Sequence, residues 1–155
     1  MAQSVALTLA GPAETEGFGA ALGRALRDAG LTGGVVWLEG ALGAGKTTLA
    51  RGLLRALGHP GRVPSPTYTL IEPYELPGLV VHHVDLYRVR SAGELVHLGL
   101  GDLAGLVLVE WPGHGVGELP EPDLRICLTV LEAGRGIVAR AGTAAGARLL
   151  DHLQP

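Results

Sequence analysis

Between an apolar run, Val35-Val36-Trp37-Leu38, and an amphipathic stretch, Thr47 to Leu57, lies the octet Gly40-Ala41-Leu42-Gly43-Ala44-Gly45-Lys46-Thr47. It satisfies G-x-x-x-x-G-K-[ST] at every fixed position. The apolar run reads as a buried strand, and the following stretch as a helix stopped by Gly58. Strand, glycine-rich turn and helix in that order constrain the chain to an α/β fold with a phosphate-binding loop, a P-loop, at the strand end. The residue types explain why. Glycines let main-chain N–H groups turn onto phosphate oxygens, and the helix N-terminus offers a positive dipole end. Lys46 places a compact charge on the terminal phosphates, and the Thr47 hydroxyl suits a magnesium position. Basic residues total 12, and Lys46 is the one lysine among them.

The remaining pattern fills out a mixed sheet flanked by helices. Val5–Leu9 alternates as a short strand, and Gly11-Pro12 breaks it. Thr15 opens a helix whose apolar positions Phe18, Leu22, Ala25, Leu26 and Ala29 recur at three- and four-residue spacing until Gly30. Thr67–Tyr74 and Leu79–Leu86 read as strands joined by Pro77-Gly78, a hairpin that rules out a purely parallel sheet. Ser91 with Glu94 signals a capped short helix up to Leu98. Leu106–Val109 is a second wholly apolar run, Pro112 to Pro122 is loop, Leu124–Val130 and Ile137–Ala141 are closing strands, and Ala144–Leu153 is a last helix. With 155 residues, 47% hydrophobic and 17% charged, a single folded P-loop domain over residues 1–155 is expected.

A P-loop needs a carboxylate on a neighbouring strand end to complete its metal shell. Glu110 follows the more uniformly apolar run and is assigned to the metal, directly or through water. Asp85, after Val80-Val81-His82-His83-Val84, is read as positioning or activating the attacking water, or as completing the metal shell. His82 and His83 point to opposite faces of a strand, cannot readily chelate one ion, and are read as packing or surface residues. Guanine recognition by an Asn-Lys-x-Asp segment is excluded, since the chain has no asparagine and no second lysine. Adenine is the better base. A small-molecule kinase using the same loop stays as the alternative, although its usual arginine-rich lid is represented only by Arg88 and Arg90.

Four ordered segments carry a resemblance: Gly40 to Leu49, Ser65-Pro66-Thr67-Tyr68-Thr69-Leu70, His83-Val84-Asp85-Leu86-Tyr87-Arg88, and Val109-Glu110-Trp111-Pro112. They resemble the bacterial TsaE (YjeE) family of P-loop ATPases, over nearly the whole chain. The resemblance implies slow magnesium-dependent ATP hydrolysis in support of two partners, TsaB and TsaD. Those partners place threonylcarbamoyl on adenosine 37 of tRNAs that read codons beginning with A. It puts Thr47 and Glu110 on magnesium, with Asp85 close by. Ser65 and Thr67 fall in a switch-like loop near the γ-phosphate, and Trp111 beside the site. Nucleotide contacts are implied for Gly43, Ala44, Gly45, Lys46, Thr47, Thr48 and, through a weaker match, Gly134, with Thr15 and Arg135 near the base and ribose. Read by themselves, Thr15 is a helix cap and Arg135 a surface charge. One departure stands out: Gly113-His114-Gly115 follows Trp111-Pro112 where the family often carries a polar or acidic residue, which predicts a more mobile loop.

The balance of charge agrees with an indirect role at RNA. A net charge of −3, with arginines spread along the chain, makes a poor stand-alone nucleic-acid binder, so tRNA is expected to be held by another subunit. A single cysteine, Cys127, excludes an intramolecular disulfide framework. No apolar run approaches 18 residues and the first eleven carry no secretory pattern, so a cytoplasmic protein without membrane contact is expected.

Overall fold

The computed structural model describes residues 3–153; the ends of the expected single-domain span lie outside the described residues. One seven-stranded sheet organises them, in the spatial order β1-β7-β6-β2-β5-β4-β3. Its strands are β1 (Ser4–Leu9), β2 (Gly34–Gly40), β3 (Ile71–Leu76), β4 (Leu79–Asp85), β5 (Leu106–Glu110), β6 (Leu124–Val130) and β7 (Arg135–Ala141). The four central strands β6, β2, β5 and β4 run parallel to one another, while β7 and the edge strand β3 pair antiparallel with β6 and β4, and β1 pairs antiparallel with β7. The mixed sheet expected from Pro77-Gly78 is present, with that pair at the β3–β4 turn.

Side-chain parity decides what covers each face. Val36, Leu38, Leu106, Leu108 and Val81 belong to the larger core, which is filled from α1 (Pro12–Asp28), α2 (Lys46–Ala56) and α3 (Ala144–Leu153). Val35, Trp37, Val107, Val109 and Val84 face the other way, into a smaller core closed by Leu95 and Leu100 of short 3₁₀ turns. The helix α1 lies directly on α2. A Cβ added at Gly19 would stand 1.9 Å from the Leu49 carbonyl oxygen, and one at Gly52 would stand 1.9 Å from that of Glu16.

Three expectations change. The first helix opens at Pro12, with Gly11 as its N-cap; proline's fixed φ suits the first helical position, so Gly11-Pro12 starts the helix as well as ending β1. Thr15 is therefore inside the helix and is not its cap; its hydroxyl donates to the Gly11 carbonyl at 3.2 Å. Thr67 to Leu70 is a turn, and β3 begins only at Ile71. There the Leu70 N–H closes back on the Pro66 carbonyl at 2.8 Å with Leu70 at φ +73°. The segment after Ser91 is a 3₁₀ helix, Ala92–Leu98, with the capping box of Ser91 and Glu94 formed as expected.

Candidate nucleotide and metal site

The loop after β2 turns back on itself through glycines and delivers the N-terminus of α2 to the sheet's C-terminal edge. Gly45 caps that helix at φ +112°, a conformation that L side chains rarely adopt. At the first position of α2, Lys46 is almost wholly buried, 4% exposed, with its ammonium donating to the carbonyls of Gly40 at 2.6 Å and Ala41 at 3.0 Å. The same ammonium lies 4.3 Å from the Trp111 ring centroid. Burial pushes the Lys46 ammonium below the ordinary lysine value, and the carboxylates of Glu110 and Asp85 pull it back up.

Glu110 and Asp85 are register partners on β5 and β4, so both carboxylates leave the same end of the sheet on the face that α2 covers. Oε2 of Glu110 accepts the Thr47 hydroxyl at 2.9 Å. The Asp85 carboxylate is held differently. Its Oδ2 accepts from Thr67 at 3.0 Å and Ser65 at 3.3 Å, and its Oδ1 accepts the Tyr87 N–H at 2.8 Å. Ser65 and Thr67 hydroxyls also stand 2.8 Å apart. All of these groups line one cavity of about 250 Å³, together with Gly43, Gly45, Thr48 and Trp111.

A smaller hollow of about 90 Å³ on the far side of the loop is lined by Thr15, Gly43, Ala44, Gly45, Thr48 and Arg135. Arg135 is more than a surface charge: its Nε donates to the Ala44 carbonyl at 3.1 Å and its Nη2 to that of Gly43 at 3.3 Å, bracing the loop from behind. Gly134 lines neither space. Its φ is +94°, and a Cβ there would stand 2.1 Å from the Leu9 carbonyl oxygen, so backbone approach to β1 accounts for glycine. The structure thus brings the predicted residues together except Gly134, and divides them between two adjoining spaces.

Two sequence readings gain detail in the structure. His83 is no ordinary packing residue: it is fully buried, with Nε2 at 2.6 Å from Glu110 Oε2. His82 does face the other way, with Nε2 at 3.0 Å from the Ala104 carbonyl oxygen. The signal for His83 was its even spacing from Asp85, which puts both on one face. The segment after Trp111 is also tied down. Pro112–Gly115 forms a 3₁₀ turn, and the His114 Nδ1–H donates to the Leu86 carbonyl at 2.8 Å. Trp111 enters that turn at φ +59°, packing against Tyr87 at 4.9 Å between ring centroids.

A parallel sheet core, a glycine-capped helix start carrying Thr47 and the buried Lys46, and a strand-end carboxylate on the threonine define a P-loop nucleotide-binding fold. The family model described as threonylcarbamoyl adenosine biosynthesis protein TsaE matches residues 9–137, and the chain belongs to that family. Among curated relatives it is 42% identical over 120 residues to the tRNA threonylcarbamoyladenosine biosynthesis protein TsaE of Haemophilus influenzae, covering 76% of each chain. It is 36% identical to the protein of that name from Treponema pallidum, over 78% of this chain and 88% of the relative. The crystal structure of Bacillus subtilis YdiB superposes with a TM-score of 0.78 at 29% identity, covering 99% of this chain and 95% of the other.

Proposed function

We propose that this chain binds ATP with magnesium and hydrolyses it slowly, as an accessory protein in threonylcarbamoyladenosine modification of tRNA. The observation that carries the reading is the contact between Thr47, one residue past the P-loop lysine, and the buried Glu110 carboxylate. Hard oxygen donors in that pairing suit Mg²⁺, which commonly takes one or two carboxylates plus substrate phosphates. Among the described residues no group of three or more His, Cys, Asp or Glu converges as a self-sufficient metal cage. Thr47 and Glu110 would hold the ion; when bound, it offsets phosphate charge and polarises the terminal phosphoryl group.

The chain's own residues supply the rest. Main-chain N–H groups of the loop and the Lys46 ammonium bind the phosphates, Lys46 exchanging its loop carbonyls for phosphate oxygens. Asp85 orients the attacking water, and the Ser65 and Thr67 hydroxyls on its carboxylate link that task to loop 63–70. The hollow formed by Thr15 and Arg135 takes the sugar and base side of the nucleotide. Slow turnover alone is consistent with the cavity lining, which includes no arginine; an arginine finger is worth about 10³–10⁵ in rate. Arg88, the in-chain candidate, stacks on Tyr68 at 4.7 Å from its ring centroid.

The family likeness supports TsaB and TsaD as the partners and adenosine 37 of tRNAs reading codons that begin with A as the eventual target, in the cytoplasm. No helix among the described residues is long and apolar enough to cross a membrane. Phosphate release from Mg-ATP, measured with and without TsaB and TsaD, tests the proposal. Release that rises with the partners is expected. Phosphate passed to a metabolite would favour a kinase, and nucleotide-dependent partner binding with no release would leave a binding module.

A further inference from the structure

Burying an imidazole is costly unless its polar atoms are used. His83 has none of its surface exposed, sits beside Leu108 across the β4–β5 ladder, and has no partner for Nδ1 among the described residues. Its one polar tie is the 2.6 Å contact with Oε2 of Glu110. A carboxylate in the form that receives a cation only accepts, so toward it Nε2 carries the hydrogen and donates. Leucine or phenylalanine would fill this position at less polar cost. Only the bond to Glu110 repays the imidazole.

That bond acts on a soft coordinate. The terminal torsion of glutamate is broad, so strand packing fixes the carbon stem of Glu110 but not the plane of its carboxylate. Two donors from different elements, Thr47 on α2 and His83 on β4, converge on the same oxygen, Oε2. The other oxygen, Oε1, accepts no side-chain hydrogen bond among the described residues. Two fixed donors on one oxygen set the plane and leave the second oxygen available to the cavity that Glu110 lines.

We propose that His83 is a positioning residue, which holds the Glu110 carboxylate in the orientation that receives a divalent cation. This rests on the magnesium role proposed for Glu110. Outer partners of metal-binding side chains typically change metal affinity roughly 10–100-fold when removed. The test reads Mn²⁺ affinity by electron paramagnetic resonance, using the full chain with a non-hydrolysable ATP analogue. His83→Phe keeps the bulk and loses the donor; it should weaken Mn²⁺ roughly 10-fold or more while nucleotide affinity in EDTA stays unchanged. His83→Gln, whose amide N–H reaches about as far as Nε2, should recover most of the loss. If His83→Phe fails to fold, His83→Asn, whose amide stops one atom short, takes its place against the glutamine variant.

The metal-free protein gives a second readout. Its proton spectrum should contain a slowly exchanging His83 ring N–H, absent in Glu110→Ala. Wild-type Mn²⁺ affinity in His83→Phe, or a glutamine variant no better than phenylalanine, overturns the positioning role. A wild-type chain whose nucleotide site takes up no Mn²⁺ overturns the magnesium reading as well, and the ring N–H signal shows whether the hydrogen bond itself stands.

Discussion

Asp85 and Glu110 stand in register at the ends of adjacent parallel strands, both buried, yet different parts of the molecule hold them. Glu110 is gripped by regular structure, the first turn of α2 through Thr47 and the β4 strand through His83. Asp85 is gripped by hydroxyls of an irregular segment, Ser65 and Thr67, and by the N–H of Tyr87 just beyond its own strand. A carboxylate tied to both a helix and a strand is held to one geometry. A carboxylate bonded to loop hydroxyls can change partners when its surroundings change. The comparison teaches that neighbours of the same chemistry can be anchored in two ways, which in the proposed reading divides the labour: one holds, the other senses.

Four substitutions would break or sharpen that contrast. Lys46→Ala removes the cation common to both carboxylates, and ATP binding should weaken by about 2–5 kcal/mol in calorimetry. Retained affinity would remove the premise that both acids face a bound triphosphate. Glu110→Ala should lower magnesium-dependent turnover on the order of 10³-fold while metal-free nucleotide binding persists. If turnover survives there and only the aspartate variant is dead, the two roles are reversed. Asp85→Asn should cost on the order of 10²-fold in phosphate release with Mn²⁺ affinity nearly unchanged, which separates sensing from holding. Thr67→Ala, with Ser65 still in place, should cost about tenfold in turnover, and its effect should vanish in the Asp85→Asn background.

How far the sequence disclosed this arrangement depended on how local each cause was. The P-loop and the placement of β5 beside β2 were legible, because the motif has a fixed spacing and the short apolar run, too brief for a helix, ends in the carboxylate that the loop needs nearby. Thr67 to Leu70 was not. Its Thr and Tyr residues favour a strand, but the segment is bent by the Pro66 carbonyl and by a carboxylate fifteen or more residues on. His83 needed the β4–β5 pairing before its even spacing from Asp85 acquired a partner in Glu110. Gly19 and Gly52 were invisible for a related reason. A glycine inside a helix reads as a local weakness, and its use appears only when a second helix lies against it.

Trp111 has an experimental use. Its indole rests on the ammonium of Lys46, which in the proposed reading must let go of two loop carbonyls to meet phosphate. An aromatic ring so close to a relocating charge changes its emission when that charge leaves. On that reading the molecule carries its own optical probe at the proposed point of ligand capture. Replacing its other tryptophan, Trp37, with phenylalanine would isolate that probe and let loop occupancy be followed in real time without a label.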